Sequence, residues 1–509
     1  MPVAPGGHRG PRQWLRTKSV EESILDTDDP ERGLTRSLTA LDLTVFGVGV
    51  VIGTGIFVLT GQVARTTAGP SVAISFAVAG AVCALAALCY AEFASTVPVA
   101  GSAYTFAYAS LGELSAWIIG WDLLLELALG CAVVAVGWSG YVRSLLDSIG
   151  WHLPSWLSGT SEETGFGFDL LACVLVLALT AVLVAGMKLS ARVTSTVVAV
   201  KVGVVLLVII AGAFFVTADN FDPFIPPAQG TTDGDGGLRA PVIQLISGYQ
   251  PTTFGVLGVF SAAAVVFFAF IGFDVVATAA EETRDPQRDM PRGILGSLAI
   301  CTVLYVAVSL VVTGMRKYTE LTVDAPLADA FKAVGQPFWA GLISFGAAVG
   351  LTTVCMILLL GQSRVFFAMS RDGLLPPVFS RVHPRFRTPY RSTLLLGVVV
   401  AVLAGCTSIS ELAELVNIGT LFAFIVVALG VVVLRRSRPD LPRAFRTPLV
   451  PALPLASVLA SLWLMLNLPA ETWARFGAWM ALGVVLYAWY GQRRSRLRRG
   501  EEPPEHRVP

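Results

Sequence analysis

About twelve apolar runs, separated by short polar connectors, reach the length of a membrane-crossing helix, which needs about 20 apolar residues. They fall near residues 42–64, 71–94, 112–138, 168–187, 191–216, 254–281, 293–314, 337–363, 392–407, 411–434, 449–467 and 473–490. This pattern predicts an all-α polytopic membrane protein. Two of the runs are interrupted. The first carries Ile52-Gly53-Thr54-Gly55-Ile56 near its middle, and the sixth carries Phe267-Phe268-Ala269-Phe270-Ile271-Gly272-Phe273-Asp274. Gly disfavours a helix interior by roughly 1 kcal/mol relative to Ala. Backbone freed inside lipid is tolerated only where protein or a cavity satisfies it. Paired interruptions at matching positions of two halves point to a binding site of the kind secondary transporters build. Close helix packing is the alternative for the first, because Gly49 and Gly53 also form a small-xxx-small pattern. With five spans per half, an odd number, the two halves take opposite orientations in the membrane.

Composition agrees with the spans. The 509 residues are 54% hydrophobic and 14% charged, against about 25% charged in soluble domains. A net charge of +1 gives no sign of a nucleic-acid partner. All seven cysteines lie in apolar runs and read as small buried hydrophobes. The four histidines lie outside those runs, so no intramembrane metal or haem site is expected. The first forty residues show no apolar core of a cleavable signal peptide. The expected organisation is an N-terminal tail over 1–40, a membrane domain over 41–491 and a basic C-terminal tail over 492–509. With the N-terminus inside, cytoplasmic segments hold 28 of the 36 Lys and Arg, and external segments hold seven. That asymmetry puts both termini in the cytoplasm. The acidic loop Asp233-Gly-Asp235 lacks the downstream Glu of a calcium loop and reads as a flexible connector. The run Arg493 to Arg499 reads as a stop-transfer charge cluster or a contact for anionic lipid.

Four stretches carry a resemblance. Gly47 to Phe57 and Tyr90 to Tyr104 are similar to two hallmarks of the amino acid–polyamine–organocation superfamily. So are Phe267 to Arg292 and Ser363 to Pro376. The likeness covers about residues 35–490 and in detail resembles the bacterial cationic amino acid transporter branch, which has fewer spans than the roughly fourteen of animal relatives. It implies a five-plus-five inverted repeat with broken helices 1 and 6, plus two additional helices.

A zwitterionic amino acid needs donors for its carboxylate and acceptors for its ammonium. The half-helix starting near Gly55 offers free N–H groups and a positive dipole end, and Thr54 adds a hydroxyl. Carbonyls around Val51 and Ile52, and around Phe267 and Phe268, suit the ammonium. Gly53, Gly55 and Ile271 complete the candidate substrate site. The resemblance implies that Phe268 closes over the substrate as a gate; packing in lipid or core is the alternative for a membrane Phe.

Lys201 lies about ten residues into the fifth span, some 15 Å deep at about 1.5 Å per residue. An ionisable group at that depth is functional by default. Arginine stays charged where a desolvated lysine can titrate. The resemblance implies that Lys201 stands in place of a sodium ion near first-helix carbonyls and responds to protons; an ion pair with Glu126 is the alternative. Glu126, with Asp122 one turn earlier, either pairs with Lys201 or attracts a basic substrate side chain. Asp274 is read as capping or tying the half-helix after the second break, with a relay role as the alternative, and Glu92, Glu281 and Glu282 as gate or interface residues at inner helix ends.

The expected function is import of amino acids across the cell membrane by alternating access, with a proton as coupling ion and no other cofactor. Obligatory exchange is the alternative, and a membrane sensor of amino acids a third. No phosphate-binding Gly-x-x-x-x-Gly-Lys-Ser/Thr motif occurs, and no nucleophile–base pair suggests an enzyme. Besides amino acid and lipid, no partner is indicated.

Overall fold

A computed structural model describes residues 38–97, 102–152, 154, 157, 167–186, 191–230, 237–248, 252–383, 386 and 388–495. Most of both expected tails and the Asp233–Asp235 loop lie outside the described residues. Every expected span has a helix. Span 1 is Ala40–Val51 and, after a break, Gly55–Leu59 and Thr60–Val63. Spans 2 to 5 are Val72–Thr96, Glu113–Ser148, Leu170–Val184 and Ala191–Ala213. Span 6 is Gly255–Val266, Phe267–Phe270 and, past its break, Val275–Glu282. Spans 7 to 10 are Pro286–Met315, Pro337–Arg371, Tyr390–Cys406 and Ile409–Ser437. Span 11 is Ala452–Leu466, and span 12 is Ala470–Leu486 continued by Tyr487–Gly491. Extended pairing between strands among the described residues is confined to Gln229–Gly230 with Thr252–Thr253.

The packing carries the repeat. Span 2 packs on span 7, span 3 on span 8, span 4 on span 9, and the break of span 1 meets that of span 6. Spans 1 to 4 thus each touch the counterpart five places later, as expected of a two-fold relation between two sets of five. Spans 1 and 6 are antiparallel and tied at both ends. At one end the Leu38 N–H donates to the Glu282 carbonyl at 3.0 Å and the Arg284 N–H to the Leu38 carbonyl at 2.9 Å. At the other end the Phe254 N–H donates to the Thr67 carbonyl at 3.0 Å.

Spans 3 and 8 run longer than their apolar stretches, to Ser148 and Arg371. Hydropathy marks the part of a helix that meets lipid, whereas backbone hydrogen bonding continues into the polar layers. Span 12 leans on span 3 through indoles. Trp121 and Trp479 stack with centroids 4.3 Å apart, and each N–H donates to the other's carbonyl, at 3.0 and 3.2 Å. Such reciprocal bonds keep both indole N–H groups satisfied within an apolar interface.

Near the C-terminal end of span 2, Glu92 is 4% exposed and accepts a forked pair of bonds from Arg435 of span 10, at 2.8 and 2.7 Å. The Thr447 N–H donates to it at 2.8 Å, and Arg443 lies at 3.5 Å. The sequence expectation of an interface residue is met: Glu92 fastens the connector between spans 10 and 11 to span 2. Hydrogen bonds to charged groups contribute about 1.5–3 kcal/mol. Arg435→Ala should therefore lower the thermal unfolding midpoint of detergent-purified protein. Equal midpoints for Arg435→Ala and the parent would show that the fork contributes nothing to stability.

Candidate functional site

Span 1 leaves the helix at Ile52, whose ψ of 97° is extended. The chain re-enters through Thr54 and continues as a wide-turn helix over Gly55–Leu59. Gly55 is required here by contact: a Cβ would run into the backbone of Ala269 in span 6. The second break turns at Ile271, with ψ 134°, and at Gly272, whose φ of +116° is a conformation natural to glycine alone. A Cβ there would also lie 2.7 Å from Val50 Cγ1. The two breaks thus fit together backbone against backbone.

The exposed backbone groups are met by side chains. The Tyr305 hydroxyl of span 7 lies 2.6 Å from the Val51 carbonyl and 2.8 Å from the Ala269 carbonyl. It has one proton to give, so it donates to one break at a time. The Asn417 amide of span 10 donates to the Ala264 and Val265 carbonyls at 2.8 and 2.9 Å, just before the second break. The Tyr141 hydroxyl of span 3 donates to the Phe57 carbonyl at 2.6 Å. Asp274 accepts from the Gly272 N–H at 3.3 Å and so ties the turn, as expected. The carbonyls of Val51 and Phe268, expected to be bare, are both engaged, Phe268 by the Ile271 N–H at 3.2 Å. Each retains a second lone pair.

A small cavity lies at the breaks. Val51, Gly53, Thr54, Gly55, Glu126, Phe268 and Ile271 all line it. Ile52 and Phe267 do not: Ile52 is fully buried, and the Phe267 ring packs edge-on to Phe424 at 5.6 Å. Thr54 carries a buried hydroxyl without a hydrogen-bond partner among the described residues. Buried polar groups are rarely left so, and this one stands in the cavity lining. The remaining wall is apolar: Leu127, Gly130 and Val134 from span 3, Val354 and Leu358 from span 8. Of the two glycines that could pack or unwind, Gly49 presses on Val198 of span 5, while Gly53 faces the cavity, with Val354 at an ordinary 3.7 Å from a hypothetical Cβ.

Lys201 is 1% exposed, and its Nζ donates to the Gly49 carbonyl at 2.6 Å. Its stem crosses Gly350 of span 8, where a Cβ would come within 2.8 Å of Lys201 Cγ. No ion pair to Lys201 occurs among the described residues, so the alternative of a bond to Glu126 is not realised. Lys201 instead links spans 1, 5 and 8 behind the cavity. Glu126 is the one ionisable residue in the lining. Asp122, one turn away, is fully buried, and neither carboxyl oxygen has a partner among the described residues.

Tyr305, Asn417 and Tyr141 escaped sequence reasoning. Tyr305 and Asn417 are polar tips inside apolar runs, and that combination was the available signal; Tyr141 lies past the end of its run. Their partners are set only by three-dimensional packing.

Comparison with known proteins agrees with this architecture. Residues 38–487 match the family described as amino acid permease. The chain is 46% identical to the methylthioribose transporter of Bacillus subtilis (strain 168), covering 95% of this chain and 99% of that one. It is 48% identical to the branched-chain amino acid permease BcaP of the same organism, over 95% and 98%. It is 39% identical to the vacuolar cationic amino acid transporter 4 of Arabidopsis thaliana, over 84% and 68%. These relatives are transporters and permeases, not enzymes. A membrane domain of paired broken helices, matched along nearly its whole length, places the chain in the amino acid permease family of the amino acid–polyamine–organocation superfamily.

Proposed function

We propose that this protein imports an amino acid across the plasma membrane by alternating access, with both termini cytoplasmic and a proton as coupling ion. The observation that carries the reading is the meeting of the two breaks over a cavity that holds the unpartnered Thr54 hydroxyl. The substrate carboxylate binds Thr54 and the N–H groups at the start of the Gly55 half-helix. The ammonium takes the free lone pairs of carbonyls at the two breaks, and Phe268 closes over both. The chain's relatives include transporters named for amino acids and one named for methylthioribose, so the family leaves the side chain open. Leu127, Val134, Val354 and Leu358 favour an apolar side chain. Glu126 supports a second reading, a basic substrate.

Lys201 supplies the coupling. Protonated, it makes a charge-assisted bond to Gly49, which is roughly twice as strong as a neutral one. Loss of the proton weakens the hold of spans 5 and 8 on span 1 and lets the broken helices shift. The rival is obligatory exchange, in which Lys201 only braces the fold.

Uptake of labelled amino acids by purified protein in liposomes, with and without an inward proton gradient, tests the reading. Accumulation that depends on the gradient is expected, and counterflow without accumulation would turn the protein into an exchanger. Lys201→Ala should keep counterflow and lose gradient-driven accumulation; a mutant that still concentrates substrate removes the lysine from coupling. Gly55→Val should abolish uptake without blocking membrane insertion, whereas Gly53→Ala, which has room, should keep most of it. Equal behaviour of the two would mean that the contact between the breaks does not matter. Leucine should compete at least about tenfold better than lysine, since a cationic side chain would be desolvated against the valine and leucine wall. If lysine wins instead, and Glu126→Gln weakens lysine more than leucine, the second reading holds.

A further inference from the structure

Cys131 of span 3 and Cys355 of span 8 are both fully buried, and their sulfurs lie 2.8 Å apart. They are separated by 224 residues in sequence. Each follows a residue that lines the cavity: Gly130 precedes Cys131 and Val354 precedes Cys355. The other five cysteines make no thiol–thiol contact among the described residues. From this juxtaposition we infer that Cys131 and Cys355 form a reversible oxidative crosslink between the two long helices that wall the cavity, with hydrogen peroxide as the oxidant.

The chemistry balances with that oxidant. One thiol sulfur attacks a peroxide oxygen, the O–O bond breaks, and the sulfur becomes a sulfenic acid while the departing oxygen takes the thiol proton and leaves as water. The second thiol sulfur then attacks the first, forming the S–S bond and expelling the sulfenic oxygen as a second water. Two thiols lose two electrons and two protons, and one peroxide becomes two waters. The sulfurs need to approach by less than about 1 Å to reach a bond of about 2.05 Å. A dithiol reverses the reaction by exchange.

The bond would act on the site because of what each helix carries. Span 3 bears Glu126 into the cavity, and span 8 bears Val354 there and Gly350 against Lys201. Joining them fixes the wall that faces the first break. The inference is independent of which substrate is carried.

The test uses the full-length protein in liposomes, exposed to hydrogen peroxide, denatured, alkylated and digested for mass spectrometry. The expected result is a joined peptide pair containing Cys131 and Cys355, lost on treatment with dithiothreitol. Diamide on detergent-solubilised protein should give the same pair. Alkylation of both residues after both oxidants overturns the crosslink, and a pair that forms with diamide alone overturns hydrogen peroxide as the oxidant. Cys355→Ser, and separately Cys131→Ser, should lack the joined peptide. Peroxide should slow uptake at least twofold in the parent, reversibly, and not in either variant. Equal slowing in parent and variants, or none in a fully crosslinked sample, overturns action on the site.

Discussion

The structure depends on the rule that a peptide group broken out of a helix inside a bilayer must find a partner within the protein. Both interruptions obey it by the same means: a polar tip on a neighbouring helix reaches the freed carbonyl. Tyr305 serves Val51 and Ala269, Asn417 serves Ala264 and Val265, and Lys201 serves Gly49. The donors come from spans 7, 10 and 5, so three separate helices are committed to holding two short irregular segments. What those donors leave unmet, above all the Thr54 hydroxyl, is what a ligand can use.

Glycine placement follows from the same constraint. Gly55 and Gly272 let one break lie directly on the other, and Gly49 and Gly350 clear the way for span 5 and the lysine stem. Small residues here decide how close two backbones come, which is the usual lever where lipid offers no hydrophobic drive for association. The same feature read from sequence, as small-xxx-small spacing or as a helix break, describes two different glycines of one run.

Much of this was legible before any coordinates. Span positions follow from hydropathy, the breaks from Gly and Asp in apolar runs, and the depth of Lys201 from its place in the fifth run. What stayed hidden depends on contacts between distant segments. An Asn or Tyr in a membrane helix does not name its partner, so Asn417 and Tyr305 gave no sign of the carbonyls they hold. Glu92 was visible as a charge at a helix end, but its fork to Arg435 joins residues 343 positions apart. Ile52 and Phe267 lie within a residue of cavity-lining neighbours, and only the actual turn decides which of two adjacent side chains faces inward. Cys131 and Cys355 read as ordinary small hydrophobes because nothing in one helix records what stands opposite it.

The ties at the two ends of spans 1 and 6 have a mechanical consequence. At one end the N–H and carbonyl of Leu38 are bonded to Glu282 and Arg284, and at the other Phe254 is bonded to Thr67. Two interrupted rods, each weak at its middle, are thereby pinned head to foot into a single frame. Load applied to one end of either rod is shared with the other, and bending concentrates at the only place where both are soft. Flexure is thus channelled to the joint where the breaks meet, so the frame can tilt or fold there without either helix coming away from its companion.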